Sequence, residues 1–231
     1  MLRKWEDLPE QMQNDVVRPY YDHLRTKRYQ ILIKRLFDIL ASITLLVLLS
    51  PVLIAVSVVI VLQSGRPIFF RQKRVTLYGR EFRIFKFRTM VADAQTRGPQ
   101  LTTKDDDRIT SIGKRLRDRR LDEIPQLFNI LLGDMSFVGT RPEVPRFVEL
   151  YTPEMLATLL LPAGLTSVAS IQFKDENAMY ALHPEQDQDT AYVRFILPRK
   201  MEHNLKALAR FSLMSDAKVL FDTFISVLLK T

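Results

Sequence analysis

Residues 39–62 read Ile39-Leu-Ala-Ser-Ile-Thr-Leu-Leu-Val-Leu-Leu-Ser50-Pro51-Val-Leu-Ile-Ala-Val-Ser-Val-Val-Ile-Val-Leu62, with no charged residue. As a straight helix the run would measure about 36 Å, enough to cross a hydrocarbon core of about 30 Å. Ser50-Pro51 falls at its midpoint. Proline removes a backbone donor and crowds the preceding turn, so Ser50 and Pro51 are expected to form a structural hinge. Basic residues flank both ends: Arg25, Lys27, Arg28, Lys34 and Arg35 before, Arg66, Arg71, Lys73, Arg74 and Arg80 after. Basic flanks favour the cytoplasmic side of a membrane, and one straight crossing puts one cluster on the wrong side. A re-entrant hairpin that dips into one leaflet and returns keeps both clusters on one side, and is favoured over a single crossing.

The run divides the chain into an N-terminal juxtamembrane segment (1–33), a re-entrant membrane helix (34–64) and a cytoplasmic domain (65–231) with membrane-associated helices. The fold class expected is α+β, mostly helical, with a short β-hairpin. The formal charge is +8, which suits anionic partners. Beside a membrane segment, lipid head groups and phosphorylated substrates outrank nucleic acid, for which no base-contacting motif is present. With no cysteine, disulfides, thiolate catalysis and cysteine metal sites are excluded. No cleavable signal peptide is expected, because the apolar run starts late and lacks a small-residue cleavage site.

Residues 1–30 are polar with Trp5, Tyr20, Tyr21 and Tyr29 interspersed, and read as short helices on the membrane surface or, over 1–12, a disordered tail. Ile68–Arg74 and Arg80–Arg88 pair around Leu77-Tyr-Gly79 as a hairpin, with Arg83, Lys86 and Arg88 on its polar side. Residues 92–100 read as a loop or short helix. Helices are expected over Ser111–Arg120 and from Asp122, a short strand over Met135–Val138, and a rigid loop at Gly139–Pro145. Further on come a helix near Pro153–Leu160, an irregular stretch from Pro162 to Asp175-Glu176, and helices near Asp189–Leu208 and Asp216–Lys230. The last is amphipathic, which core packing and lying on a bilayer explain equally well.

Familiar catalytic sets are missing. His23, His183 and His203 have no metal-ligand spacing, and there is no Gly-rich phosphate loop or nucleophile elbow. What remains is Asp105-Asp106-Asp107, bracketed by Lys104 and Arg108, with Arg88 upstream and Arg115, Arg117, Arg119, Arg120 and Arg141 downstream. Carboxylates hold Mg²⁺ through hard oxygens and can attack phosphorus, while arginines clamp phosphate oxygens. A solvated acidic turn is the plainer reading of the same residues.

The combination resembles the bacterial sugar transferase family, the monotopic phosphoglycosyl transferases. The matching pieces are Lys34-Arg35-Leu-Phe-Asp38, the Ser50-Pro51 helix, Phe85-Lys-Phe-Arg-Thr-Met90, Asp105-Asp106-Asp107-Arg108-Ile-Thr110, Leu121-Asp-Glu-Ile-Pro-Gln-Leu127, Gly133-Asp-Met-Ser-Phe-Val-Gly139 and Arg141-Pro142. The resemblance implies transfer of a sugar-1-phosphate from a UDP-sugar to a polyprenyl phosphate (undecaprenyl phosphate) at the bacterial inner membrane, releasing UMP and initiating exopolysaccharide, capsule or O-antigen assembly. It implies Asp105 as nucleophile, Asp106 with Asp105 at Mg²⁺, and a substrate-binding set of Arg88, Arg108, Arg141, Lys34, Arg35 and Asp38. Asp122 and Glu123 would brace the site or serve structure alone. Membrane lipids and other polysaccharide-assembly proteins would be its partners. The family's Gly-Pro-Arg-Pro reads Gly139-Thr140-Arg141-Pro142 here, and its Pro-Gly-Ile-Thr-Gly reads Ala163-Gly164-Leu165-Thr166-Ser167, a segment expected to shape donor choice. The alternative from another class is a non-catalytic, membrane-anchored basic binding protein.

Overall fold

The apolar run forms a bent pair of helices. In the computed structural model, which describes residues 2–91, 93–94, 106–173, 179–180 and 186–228, α2 covers Arg28–Leu48 and α3 covers Ser50–Ser64, with the two bent by 60° at the break. The cause is local. Pro51 has no N–H to give the Val47 carbonyl one turn back, and the Ser50 hydroxyl donates to that carbonyl instead, at 2.8 Å. No single helix among the described residues is long and apolar enough to cross a membrane.

The arms of this pair are fastened to the rest of the chain by polar side chains. On α2, the buried Asp38 carboxylate accepts from the Phe137 backbone N–H at 3.1 Å. Lys34, also buried, donates to the Val138 carbonyl at 2.9 Å and pairs with Asp216 at 2.6 Å. Arg35 donates to the Ile130 and Leu131 carbonyls, 2.6 and 2.8 Å away. Those carbonyls end the helix α5 (Gln126–Leu132), where the backbone turns left-handed at Gly133, so a cation there also complements the helix dipole. Lys34, Arg35 and Asp38, expected in a substrate-binding set, are each bonded in this structure to a protein group that docks α2. The C-terminal end of α3 is held likewise, by the Arg88 guanidinium on the Ser64 and Gly65 carbonyls.

The expected hairpin is present, β1 (Phe69–Val75) running antiparallel to β2 (Glu81–Phe87). After it come α4 (Ser111–Asp118), a short 3₁₀ turn at Leu121–Glu123, α5 and β3 (Met135–Val138), near their expected places. The expected irregular stretch is different. It contains β4 (Ala163–Thr166), parallel to β3. Gly139 and Gly164 allow that pairing: a Cβ on Gly164 would lie 2.2 Å from the Gly139 backbone. A four-residue strand without an alternating pattern gives no signal of its own, and its partner sets it. Then follow α7 (Val168–Gln172), a helix through Gln188–Ala191 and a π turn, Tyr192–Ile196, into Leu197–Ala209, and the last helix, Leu213–Leu228. In the last helix Val219 is buried while Phe221 and Phe224 are 64% and 61% exposed. Residues 92 and 95–100, Asp175-Glu176 and His183 lie outside the described residues.

The N-terminal segment also departs from expectation. Trp5 meets Tyr21 edge-on at 5.1 Å, and α1 (Arg18–Thr26) buries Tyr21 and Leu24. Met12, Val17 and Leu24 are fully buried against Leu159–Leu161 and Leu205–Phe211. Burial of each such side chain is worth roughly 1.5–3 kcal/mol, so these residues belong to the core rather than to a membrane surface. Tyr29 alone of the N-terminal aromatics stands out, 79% exposed.

Removing Lys34 tests the docking. Lys34→Met leaves Asp216 buried without its partner and is expected to cost roughly 3–5 kcal/mol. Adding Asp216→Leu should recover most of that loss. Thermal midpoints in detergent micelles check both, and a double variant no better than the single one contradicts the pairing.

Candidate active site

The polar residues gather where β2 ends. Past Phe87 the chain sets Arg88 and Thr89 under the start of α4. The Thr110 N–H donates to the Thr89 carbonyl, and Thr110 caps α4 through the Gly113 N–H. Gly113 is required by contact: a Cβ there would lie 2.0 Å from the Thr89 carbonyl oxygen. Arg117, one turn along α4, donates to the Thr89 hydroxyl at 2.8 Å. Residues 108–110 are thereby held against the end of the hairpin.

Asp106 is gripped by Arg108. Arg108 Nε and Nη2 reach Asp106 Oδ1 and Oδ2 at 2.8 and 2.6 Å, and the Arg108 backbone N–H adds a third bond to Oδ1. The guanidinium holds the Asp106 carboxyl below the usual carboxylate range. Arg108 Nη1 also donates to the Ala94 carbonyl. The structure therefore gives Arg108 an orienting place beside Asp106 rather than an open anion-binding one. Asp107 is exposed, and Asp105 lies outside the described residues.

Among the described residues no three His, Cys, Asp or Glu side chains gather around one point. Mg²⁺ needs fewer, commonly taking one or two carboxylates and completing its shell with water and phosphate oxygens. Each carboxylate oxygen has two acceptor positions. On Asp106, Oδ1 takes two donors and Oδ2 takes one, leaving one position for a single metal–oxygen bond. Asp106 fits Mg²⁺ as one ligand, with substrate oxygens or a second carboxylate needed beside it.

Arg88 is the clearest candidate for an anion. Its side chain is buried, with Nη2 spent on the Ser64 and Gly65 carbonyls, and Nε and Nη1 have no hydrogen-bond partner among the described residues. Buried charged donors left unpaired are costly. Nε and Nη1 lie on different edges of the guanidinium, and each can donate to an anion's oxygen. The sequence places Arg88 on the polar face of a hairpin, whereas the structure buries it at the strand's end.

A second cluster centres on Glu123. Its carboxylate meets Lys86 at 3.0 Å, Arg120 at 3.8 Å and the Arg141 guanidinium. Burial alone would push the Glu123 carboxyl up; Arg141 and Lys86 overcome this and hold it well below the glutamate range. Burial draws the Lys86 ammonium down, against the pull of Glu123. The neighbouring Asp122 is pushed up by burial, opposed by Lys86, Arg117 and Arg141. Arg117 also feels both Asp122 and Asp106, so it lies between the two clusters. The loop carrying Arg141 is fixed from behind. Arg74 donates to the Pro142 carbonyl at 3.0 Å, and Tyr192 donates to Glu143 at 2.5 Å. Bracing by the Asp122-Glu123 pair thus belongs to Glu123. The sequence put Lys86 on the polar side of the hairpin and Arg117 among the downstream arginines, but gave no sign of their partners Glu123 and Thr89, which lie far along the chain.

This is a basic site set against a bent apolar helix pair. The sequence model of the bacterial sugar transferase family matches residues 29–230, and the chain belongs to that family. It is 36% identical over 199 residues to the UDP-N-acetylgalactosamine-undecaprenyl-phosphate N-acetylgalactosaminephosphotransferase of Aeromonas hydrophila, covering 85% of this chain and 44% of that one. It is 32% identical over 194 residues to the UDP-glucose:undecaprenyl-phosphate glucose-1-phosphate transferase of Klebsiella pneumoniae, covering 82% and 39%. With the undecaprenyl-phosphate galactose phosphotransferase of Salmonella typhimurium it shares 34% over 165 residues, covering 65% and 34%. The chain thus spans less than half the length of these three relatives. The N-terminal core segment, residues 2–28, precedes the matched region.

Glu123→Gln is expected to cost roughly 3–5 kcal/mol at neutral pH, because Lys86, Arg120 and Arg141 are left facing one another. The pH sign follows from the lowered carboxyl. Its contribution is complete above the unfolded glutamate value of about 4.3 and fades only as pH falls through the lower folded value. Thermal midpoints from pH 7 to pH 3 check this. The wild type should lose stability below about pH 4.3, and the variant should show less of that acid-side loss.

Proposed function

We propose that this chain transfers a sugar-1-phosphate from a UDP-sugar to undecaprenyl phosphate, releasing UMP, at the cytoplasmic face of the bacterial inner membrane. The observation that carries this reading is Arg88, a buried guanidinium with two unpartnered donors, fixed directly to the end of the apolar helix pair. A phosphate held there sits where a lipid-borne phosphate and a soluble sugar nucleotide can meet. The names of the relatives, which pair undecaprenyl phosphate with a sugar phosphotransferase activity, support the same chemistry.

The membrane reading rests on shape as well as composition. Leu36, Leu40, Ile43, Val47, Ile54 and Val58 are 45–68% exposed, a continuous apolar surface that water does not favour. A 60° bend opens the pair to about 120°, so each arm of a symmetric V slopes at about 30° to the membrane plane. The 15 residues of α3 then descend only about 11 Å, short of the ~15 Å half-thickness of the hydrocarbon core. Both outer ends are tied to one domain, as re-entry requires.

In the reaction proposed, the Asp105 carboxylate attacks the β-phosphorus of the UDP-sugar. The bond from that phosphorus to the bridging oxygen breaks, and UMP leaves with its electron pair. An oxygen of undecaprenyl phosphate then attacks the same phosphorus, displacing the carboxylate and giving the diphosphate-linked sugar. Arg88 and Arg141 hold phosphate oxygens and offset the developing charge. Glu123 and Lys86 keep Arg141 in place, and Arg108 keeps Asp106 oriented. Asp106 would hold Mg²⁺, whose charge would neutralise the diphosphate.

Asp105→Asn is expected to abolish UMP release across a panel of UDP-sugars with undecaprenyl phosphate, and to abolish any phosphosugar adduct seen by mass spectrometry. Full activity in that variant removes Asp105 from the nucleophile's role. No UMP release from the wild type with any UDP-sugar overturns the transferase reading itself.

A further inference from the structure

Between α2, α5, β4, α7 and the last helix lies a cleft of about 290 Å³. Its walls are mostly apolar, with Leu45 and Leu49 from the apolar run, Ile171, Leu220 and the ring of Phe137. The hydroxyls of Thr166, Ser170, Thr223 and Ser226 also line it. Among the described residues its charged lining consists of Arg120 and Glu123, three positions apart on one turn. Charge therefore enters the cleft at a single place. That place is cationic in balance: Arg120, Lys86 and Arg141 share Glu123, and burial pushes the Asp122 carboxyl beside them toward its neutral form.

Arg120 carries a second, independent mark. Its backbone is left-handed, φ 54° and ψ 21°, a region where a residue with a side chain is uncommon. Strain of this kind persists where the surrounding structure enforces it, and it gathers at ligand sites. Here it sets a half-exposed guanidinium beside the cleft, with one long ion pair among the described residues, to Glu123 at 3.8 Å.

We propose that this cleft takes the first isoprene units of the lipid phosphate, with its phosphate against Arg120. The assignment rests on the transferase reading above and deepens it. Walls in which, among the described residues, aliphatic side chains outnumber the single ring, Phe137, suit a hydrocarbon better than a nucleoside. The cleft is about twice the ~150 Å³ of an engineered cavity that holds benzene. It accommodates the head of a polyprenyl chain and leaves the rest in the bilayer, which the exposed faces of α2 and α3 adjoin. Charge confined to one spot matches a molecule with a single anionic end.

The test uses the full chain in detergent micelles, with KM measured separately for undecaprenyl phosphate and for the UDP-sugar. Arg120→Gln removes a charge-assisted contact worth roughly 1.5–3 kcal/mol, so the KM for the lipid phosphate should rise about tenfold or more. Ile171→Trp and Ser226→Phe fill the cleft from two sides and should do the same, with the KM for the UDP-sugar unchanged. Phe221→Trp adds bulk on the exposed side of the same helix and should leave both constants unchanged. An unchanged lipid KM in the cleft variants, or a change in the UDP-sugar KM alone, overturns the assignment. A diazirine-bearing short-chain prenyl phosphate reads occupancy without turnover, so the assignment is judged even where the transferase reading fails. Label should fall on peptides containing Leu45–Leu49 or Ile171. Undecaprenyl phosphate should suppress it and phosphatidylglycerol should not. Equal suppression by both lipids, or label elsewhere, contradicts the proposal.

Discussion

Fixing both outer ends of the bent helix pair to one domain is the constraint from which the rest of this structure follows. Asp38, Lys34 and Arg35 hold the first arm to β3, the last helix and the end of α5, and Arg88 holds the second arm to the end of β2. These are charged side chains on backbone groups and on one carboxylate. Apolar packing alone, against lipid as apolar as the helix itself, would not choose one orientation over another. Directional bonds do.

The same fastening sets the chemistry. Arg88 anchors α3 with one nitrogen and keeps two without a partner among the described residues, so the position proposed for a phosphate and the position of the helix pair are one geometric fact. From there the charges form a connected series. Arg117 is bonded to Thr89 and lies in the field of Asp106 and Asp122, and Glu123 ties Lys86, Arg120 and Arg141 together. Within this series Arg141 and Lys86 keep Glu123 charged despite its burial, and Arg108 does the same for Asp106.

Much of this was legible in the sequence where the cause is local. Pro51 announces its break, alternation announces the hairpin, and helical spacing with Gly133 announces α5 and its end. Contacts that depend on distant partners were not legible. Nothing near Asp38 points to the Phe137 N–H, and Asp216 lies 182 positions from Lys34. Lys34, Arg35 and Asp38 entered the substrate-binding set through the family resemblance, and their docking bonds show only in the fold. β4 has no pattern of its own and exists through β3 and the close approach of Gly139 to Gly164. The N-terminal aromatics look interfacial by composition, yet their apolar neighbours Met12, Val17 and Leu24 fill the core. Of the candidate site, the motifs located Arg88, Asp106 and Arg141, while the hub at Glu123 needed three dimensions.

The most direct measurement is sidedness. The chain has no cysteine, so single cysteines can be introduced at exposed positions before and after the helix pair, Arg25→Cys and Lys73→Cys. A membrane-impermeant maleimide is then applied to intact and to permeabilised cells. If the pair re-enters the face it left, neither position is labelled until the membrane is opened, and then both are. Labelling of one position in intact cells, with the other protected, would show that the chain crosses, and the joint site for lipid and sugar nucleotide would not exist as described.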